Sequence, residues 1–176
     1  MNGSADDVDI SVVIPCLDEE EAVGAVVDRA WQGIERSGRT GEVIVVDNDS
    51  RDRSAEIAQR HGARVVYQPS RGYGNAYHAG LAEARGRFVV MGDADETYDF
   101  AAIPDFVAAL EAGADMVLGS RLKGRIHANA MPWSHRWIGN PLITGMINLM
   151  FRTRVSDAYC GLRAVRRDVL PLLDLR

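Results

Sequence analysis

Cysteine is scarce in this 176-residue chain: Cys16 and Cys160 are the only two, and they lack zinc-ligand spacing. Neither a disulfide framework nor a structural zinc site is indicated, and a reduced, cytosolic setting is the simpler expectation. Basic charge is also short, with 20 Lys and Arg against 25 Asp and Glu and a formal net charge of -5. That balance argues against nucleic-acid binding, because a phosphate polymer needs a basic face to release its counterions. A single nucleotide stays compatible, since a bound metal ion supplies positive charge locally. Long apolar runs are missing too. The longest, Trp137 to Phe151, is interrupted by Asn140, Pro141 and Asn148 and falls short of the ~20 residues of a spanning helix. Met1 to Asp9 is polar, with Asp6, Asp7 and Asp9, unlike the basic start and apolar core of a secretory signal. Residues 1–9 read as a flexible tail and residues 10–176 as one domain, its 47% hydrophobic content being ordinary for a single globular core.

What is present is an alternation. Ile10-Ser11-Val12-Val13-Ile14 reads as a strand, and Val23, Val26, Val27, Ala30 and Ile34 follow at helical spacing. The unit recurs as strand Glu42 to Val46 with helix Arg53 to His61, strand Arg64 to Tyr67 with helix Gly74 to Arg85, and strand Phe88 to Met91 with helix Ile103 to Glu111. Strand Met116 to Leu118 closes the series. Short β-branched strands alternating with helices predict an α/β fold with a mostly parallel sheet covered on both faces. After Arg121 the alternation breaks, with Trp133, His135, Arg136 and Trp137 gathered before the apolar stretch. Asp157 to Arg167 then reads as a return into the sheet, and Val169 to Leu173 as the opening of a last helix.

Polar residues concentrate where strands lead into helices: Asp18-Glu19-Glu20, Asp47-Asn48-Asp49-Ser50, Arg71-Gly72-Tyr73-Gly74-Asn75 and Asp93-Ala94-Asp95. In open α/β sheets that edge is where ligands bind. Asp93 and Asp95, one residue apart after a buried strand, suit a hard cation such as Mg²⁺ or Mn²⁺ on a diphosphate. The alternative for an isolated Asp-x-Asp is a solvated turn capping the next helix; its company of three other polar loops favours the metal. Asp47 is placed to accept hydrogen bonds from a base or ribose, while Asp49 and Asp52 read as turn and cap residues. Gly72 and Gly74 permit close backbone approach to an anion at a helix start, and Arg71 adds a guanidinium for phosphate. The Walker lysine and the third dinucleotide-binding glycine are absent, which disfavours kinase-like and nicotinamide chemistry.

Taken in order, SVVIPCLDEEEAV, VIVVDNDSRDRS, RGYGNAYHAG, VVMGDADETYD, GSR and DAYCGLRA resemble family 2 glycosyltransferases of the GT-A fold, especially the dolichyl- and polyprenyl-phosphate sugar synthases. The resemblance implies transfer of one sugar, with inversion, from a nucleoside-diphosphate sugar (GDP- or UDP-linked) to a polyprenyl phosphate. It implies that Pro15, Leu17, Glu19 and Asp47 serve the nucleotide, with Gly72 to Asn75 beneath it, and that Asp93 and Asp95 take the metal. Thr97 stands where those synthases carry a metal-binding glutamine, so Thr97, Asp99 or water is left as third ligand. Arg121, Arg136 and Asn140 correspond to acceptor-phosphate positions. For Arg121 the other reading is a surface ion pair, and for Arg136, between Trp133 and Trp137, a membrane-interface anchor.

A phosphate acceptor is already ionised, so positioning, with Asp95 and Arg121 at the reacting centre, accounts for catalysis. A hydroxyl acceptor requires a base, for which Asp157 is the leading candidate ahead of His127 and His135. Residues 131–151 combine tryptophan, arginine and a short apolar run, the pattern of a segment lying in the bilayer interface, here at the cytoplasmic face of a membrane; a buried core helix accounts for Ile143, Ile147 and Met150 equally well but not for the Trp and Arg cluster. Two alternatives stand beside this reading: a glycosyltransferase with a soluble or polymeric hydroxyl acceptor, and a nucleotide-sugar-binding protein without turnover. A nucleotidyltransferase is disfavoured, because its basic Gly-rich loop after the first strand is replaced by the acidic Asp18 to Glu21.

Overall fold

The computed structural model describes residues 8–120, 140–153, 155–158 and 160–173. Six strands form one sheet in the order β3-β2-β1-β4-β6-β5. They are β1 (Ile10–Cys16), β2 (Gly41–Asp47), β3 (Arg64–Tyr67), β4 (Phe88–Met91), β5 (Met116–Leu118) and β6 (Arg163–Arg166). Strands β1 to β4 pair in parallel, and β6 runs antiparallel to both β4 and β5. The chain winds outward from β1 through β2 to β3, then crosses back to place β4 on the other side of β1. That reversal opens a crevice at the carboxyl ends of β1 and β4, where no single crossover covers the sheet edge.

Residues of β1 are buried along its whole length, as a central parallel strand requires. Val12, Ile14, Val43, Val45, Phe88 and Val90 face one layer, made by α1 (Val23–Arg36), α2 (Ser54–Arg60) and α4 (Ile103–Glu111). Val13, Ile44, Val46, Val89 and Val165 face the other, under α3 (Tyr73–Glu83) and a terminal 3₁₀ turn (Arg167–Leu173). The period of two thus decides which helix each strand residue meets. α3 lies so close to the sheet that a Cβ on Gly80 would stand 2.4 Å from Val13 Cγ1 and 2.7 Å from Val46 Cγ2. At the amino edge, Ser11 Oγ donates to Glu42 Oε1 at 2.7 Å and accepts from Gly86 N at 2.8 Å, while Arg64 pairs with Glu42 at 2.9 Å. Burial alone raises the Glu42 carboxyl, but bonds from Ser11, the Arg85 backbone and Arg64 outweigh it, so it titrates below the usual range.

The expected mostly parallel α/β sheet is present, and the strand and helix bounds differ from the sequence reading by a residue or two. Two elements differ in kind. The return into the sheet is shorter than Asp157 to Arg167 and runs against its neighbours, entering between β4 and β5. The last helix is a 3₁₀ turn with Pro171 inside it, and proline removes an α-helical hydrogen bond. The apolar stretch forms α5 (Asn140–Phe151), whose Leu142, Met146, Leu149 and Met150 are all more than half exposed. No helix among the described residues is long and apolar enough to cross a membrane.

Candidate active site

Loop geometry at the carboxyl edge is set by side chains that bond to backbone. Asp18 and Asp49 both take left-handed backbone, a conformation short polar side chains tolerate. Asp18 N donates to Ser50 Oγ at 3.1 Å, and Arg51 N returns a bond to Asp18 Oδ1 at 2.6 Å. Glu19 N donates to Ser54 Oγ at 2.8 Å and Glu20 N to Asp52 Oδ2 at 3.0 Å. The loops after β1 and β2 are therefore laced into one unit, and Asp52 has the structural role expected of it.

Asn48 joins that unit to the third loop. Its Nδ2 donates to Gln68 O at 2.8 Å and Ser70 O at 2.9 Å, and its Oδ1 accepts from Gly72 N at 2.7 Å. Gly72 has φ +141°, which disfavours any side chain there, and it opens α3. The start of α3 consequently borders the crevice through Gly72, Tyr73 and Ala76, with no acidic residue of the helix's own in its first turn.

A cleft of about 340 Å³ results, lined by Pro15, Leu17, Glu19, Asn48, Gly72, Asp93 and Asp95 together with Cys16, Tyr73, Ala76 and Ala94. Five residues assigned to the nucleotide from the sequence (Pro15, Leu17, Glu19, Gly72 and Asp93) thus share one cleft with Asp95. Asp93 is half-buried, and Tyr73 donates its hydroxyl to Asp93 Oδ1 at 2.7 Å. Burial first, and then the charge of Asp95, push the Asp93 carboxyl above the usual range despite that bond. Glu19 is raised for the same two leading reasons. Asp93 and Glu19, both held above the usual carboxylate range and both sharing the cleft with Asp95, concentrate negative charge that a divalent cation would relieve. Asp95 Oδ1 accepts from Thr97 N at 3.0 Å, which shapes the turn. Among the described residues no group of three or more His, Cys, Asp or Glu converges as a closed metal cage. The donor set fits a metal that keeps positions for a diphosphate and water, as Mg²⁺ does.

Asp47 ends β2 beside Cys16, 6% exposed, and among the described residues its Oδ1 has no hydrogen-bond partner. A buried carboxylate oxygen left unpaired is costly unless a ligand supplies the donor. Burial pushes the neighbouring Cys16 thiol up to about 12, so it is a neutral wall rather than a nucleophile.

Other expected residues stand elsewhere. Arg71 turns to Asp49, with Nε to Oδ2 at 2.9 Å and Nη2 to the carbonyl at 2.7 Å. Gly74 and Asn75 line a second cavity on the far side of Tyr73. Asp157 is fully buried and lines neither cavity. Thr97 is exposed at the turn, outside both linings. Arg121, Arg136, His127 and His135 lie outside the described residues, and Asn140 is described only as the first residue of α5. The sequence alone marks Asn48 only as a turn former. Its position directly after a buried strand, between two acidic residues, was the one available signal.

A crossover-reversed α/β sheet with an acidic strand-end pair facing a helix amino terminus defines a nucleotide-using domain of the glycosyltransferase A type. The chain belongs to glycosyl transferase family 2, whose model matches residues 11–172. It is 40% identical over 166 residues to a low-salt glycan biosynthesis hexosyltransferase of Haloferax volcanii, covering 94% of this chain and 40% of that protein. It is 36% identical over 166 residues to a dolichyl-phosphate hexose transferase of the same organism, covering 92% and 68%. Among solved structures, glucosyl-3-phosphoglycerate synthase of Mycobacterium tuberculosis, in complex with Mn²⁺, UDP-glucose and glycerol 3-phosphate, superposes with a TM-score of 0.71 at 27% identity, over 93% of this chain and 58% of that one. The chain thus spans well under the full length of some of the proteins it resembles.

Proposed function

We propose that the protein transfers one sugar, with inversion, from a nucleoside-diphosphate sugar to a polyprenyl phosphate, using Mg²⁺ or Mn²⁺, at the cytoplasmic face of a membrane. The observation that carries the donor half is the cleft in which Asp93 and Asp95 face the amino end of α3, with the unpaired Asp47 carboxylate oxygen at the adjoining strand end. The acceptor half is supported by the dolichyl-phosphate relative and by the apolar stripe that α5 exposes, Leu142, Met146, Leu149 and Met150.

Each residue has a distinct task in this reading. Asp47 accepts from the nucleoside, Leu17 and Pro15 wall it in, and the backbone amides that follow Gly72 at the start of α3 meet the diphosphate. Asp93 and Asp95 hold the metal, which when bound neutralises charge on the departing diphosphate. Tyr73 fixes the Asp93 carboxylate through its hydroxyl bond, and Arg121 and Arg136 meet the acceptor phosphate. An ionised phosphate oxygen attacks without a strong base, so Asp157 is left a positioning or structural role under this acceptor.

The test is incubation of the full chain with labelled UDP- and GDP-sugars, Mn²⁺ and a short polyprenyl phosphate, with products identified by mass. A lipid-linked sugar that disappears in Asp95→Ala, while the circular dichroism spectrum is kept, is expected. Transfer only to a soluble acceptor would instead support the second reading, a small phosphorylated acceptor, which the mycobacterial complex with glycerol 3-phosphate favours.

A further inference from the structure

A second cavity, of about 390 Å³, lies against the cleft on the α3 side of the sheet. Its lining is mainly apolar: Leu81 from α3, Met91 from β4, Met116 from β5, and Leu170 and Leu173 from the terminal 3₁₀ turn. One cation interrupts that lining. Arg163 on β6 stands in register with Met91 and Leu118, and its side chain shares the sheet face of Val165, toward α3. Its Nε donates to Cys160 O at 2.9 Å, and it forms no ion pair among the described residues. A half-buried guanidinium that spends one of five donors on a carbonyl, and lies close enough to Asp93 for its charge to favour that carboxylate, has donors left for a further anion.

The two cavities meet at the metal pair. Tyr73 lines both, and Gly161, in the wall of the second, is so near the first that a Cβ there would lie 2.9 Å from Asp93 Oδ2. Met91 of the second cavity is two residues from Asp93. An anion held by Arg163 is therefore next to the reacting centre, while whatever is attached to it continues along Leu81, Met116 and Leu173. A phosphate with an apolar chain fits both demands; a free phosphate or a sugar phosphate leaves the apolar wall wet.

We infer that this cavity seats the phosphate and first prenyl units of the acceptor, with Arg163 as its phosphate-binding residue. This rests on the polyprenyl-phosphate reading above. In the step it serves, an oxygen of the acceptor phosphate forms the new bond to the anomeric carbon. The bond from that carbon to the donor diphosphate breaks, and the electron pair leaves with the nucleoside diphosphate. The prenyl phosphate becomes a glycosyl phosphodiester with no net proton transfer.

Initial-rate kinetics with farnesyl phosphate, farnesol and glycerol 3-phosphate test this in the wild type, Arg163→Met, Arg163→Lys and Met116→Trp, with UDP and GDP affinity measured alongside. Arg163→Met is expected to raise the farnesyl phosphate KM about 10- to 100-fold, the worth of a charge-assisted bond, with nucleotide affinity unchanged and partial recovery in Arg163→Lys. Met116→Trp, at a partly exposed wall position, is expected to raise the same KM without unfolding the protein, which keeps the test valid if Arg163→Met is unstable. A wild type that uses farnesyl phosphate while Arg163→Met and Met116→Trp leave its KM unchanged, as for a cavity filled by further protein, overturns the assignment alone. A wild type that uses glycerol 3-phosphate but no prenyl phosphate overturns the acceptor reading and this assignment together.

Discussion

Replacing Asn48 by alanine removes three hydrogen bonds at once: two donated to Gln68 O and Ser70 O and one accepted from Gly72 N. At roughly 1 kcal/mol net for each bond the sum is about 3 kcal/mol. Gln68 is only partly buried and Ser70 is exposed, so water recovers part of their loss, and about 2–3 kcal/mol is the working figure. For a domain of this size that corresponds to a fall of about 4–12 °C in Tm, read by calorimetry. The functional effect should exceed the stability effect, because Gly72 and the first turn of α3 form one wall of the cleft. Titration calorimetry with UDP or GDP and Mn²⁺ below the transition is expected to show at least about tenfold weaker binding, from donors no longer held in place. Asn48→Asp separates the contributions: it keeps the acceptor for Gly72 N and loses both donors, so it should bind nucleotide better than Asn48→Ala while melting no higher than the wild type. An Asn48→Ala protein with wild-type Tm and wild-type nucleotide affinity would refute the claim that this side chain ties the second loop to the third.

Gly80→Ala is expected to lower stability by about 1–3 kcal/mol through overpacking, seen as a lower denaturant midpoint, because the new Cβ meets Val13 and Val46 side chains in the core. The helix-propensity gain of about 1 kcal/mol offsets only part of this. Glu42 supplies a pH signature. Its folded carboxyl titrates below the unfolded value, so its stabilisation is fully present above the ordinary glutamate range and is lost as pH falls through the lower native value. Glu42→Gln should therefore destabilise at neutral pH and converge on the wild type in acid, in urea melts run across that range; a pH-independent difference would exclude the linkage.

Much of this molecule was written locally. The short β-branched run from Ile10 to Ile14, buried throughout, and the 3.6-residue spacing of Val23, Val26, Val27, Ala30 and Ile34 name the elements without any distant contact. Because parallel strands joined by helices deliver their carboxyl ends to one edge, the sequence order also determined that Pro15, Leu17, Glu19, Gly72, Asp93 and Asp95 would meet. Tertiary structure decided what depends on pairings between segments far apart in the chain. Asn48 reaching Gly72, Arg71 turning to Asp49, and Asp93 held by Tyr73 each join residues twenty or more positions apart, and no periodicity encodes such a choice. The same holds for the reversed strand β6. A four-residue run, Arg163-Ala164-Val165-Arg166, does not reveal its direction, yet that direction brings Gly161 against Asp93 and sets Arg163 in the apolar cavity beside it. Local burial patterns are dictated by the chain's own periodicity, whereas the partner of a polar side chain is decided by whichever distant group the packed sheet brings within reach.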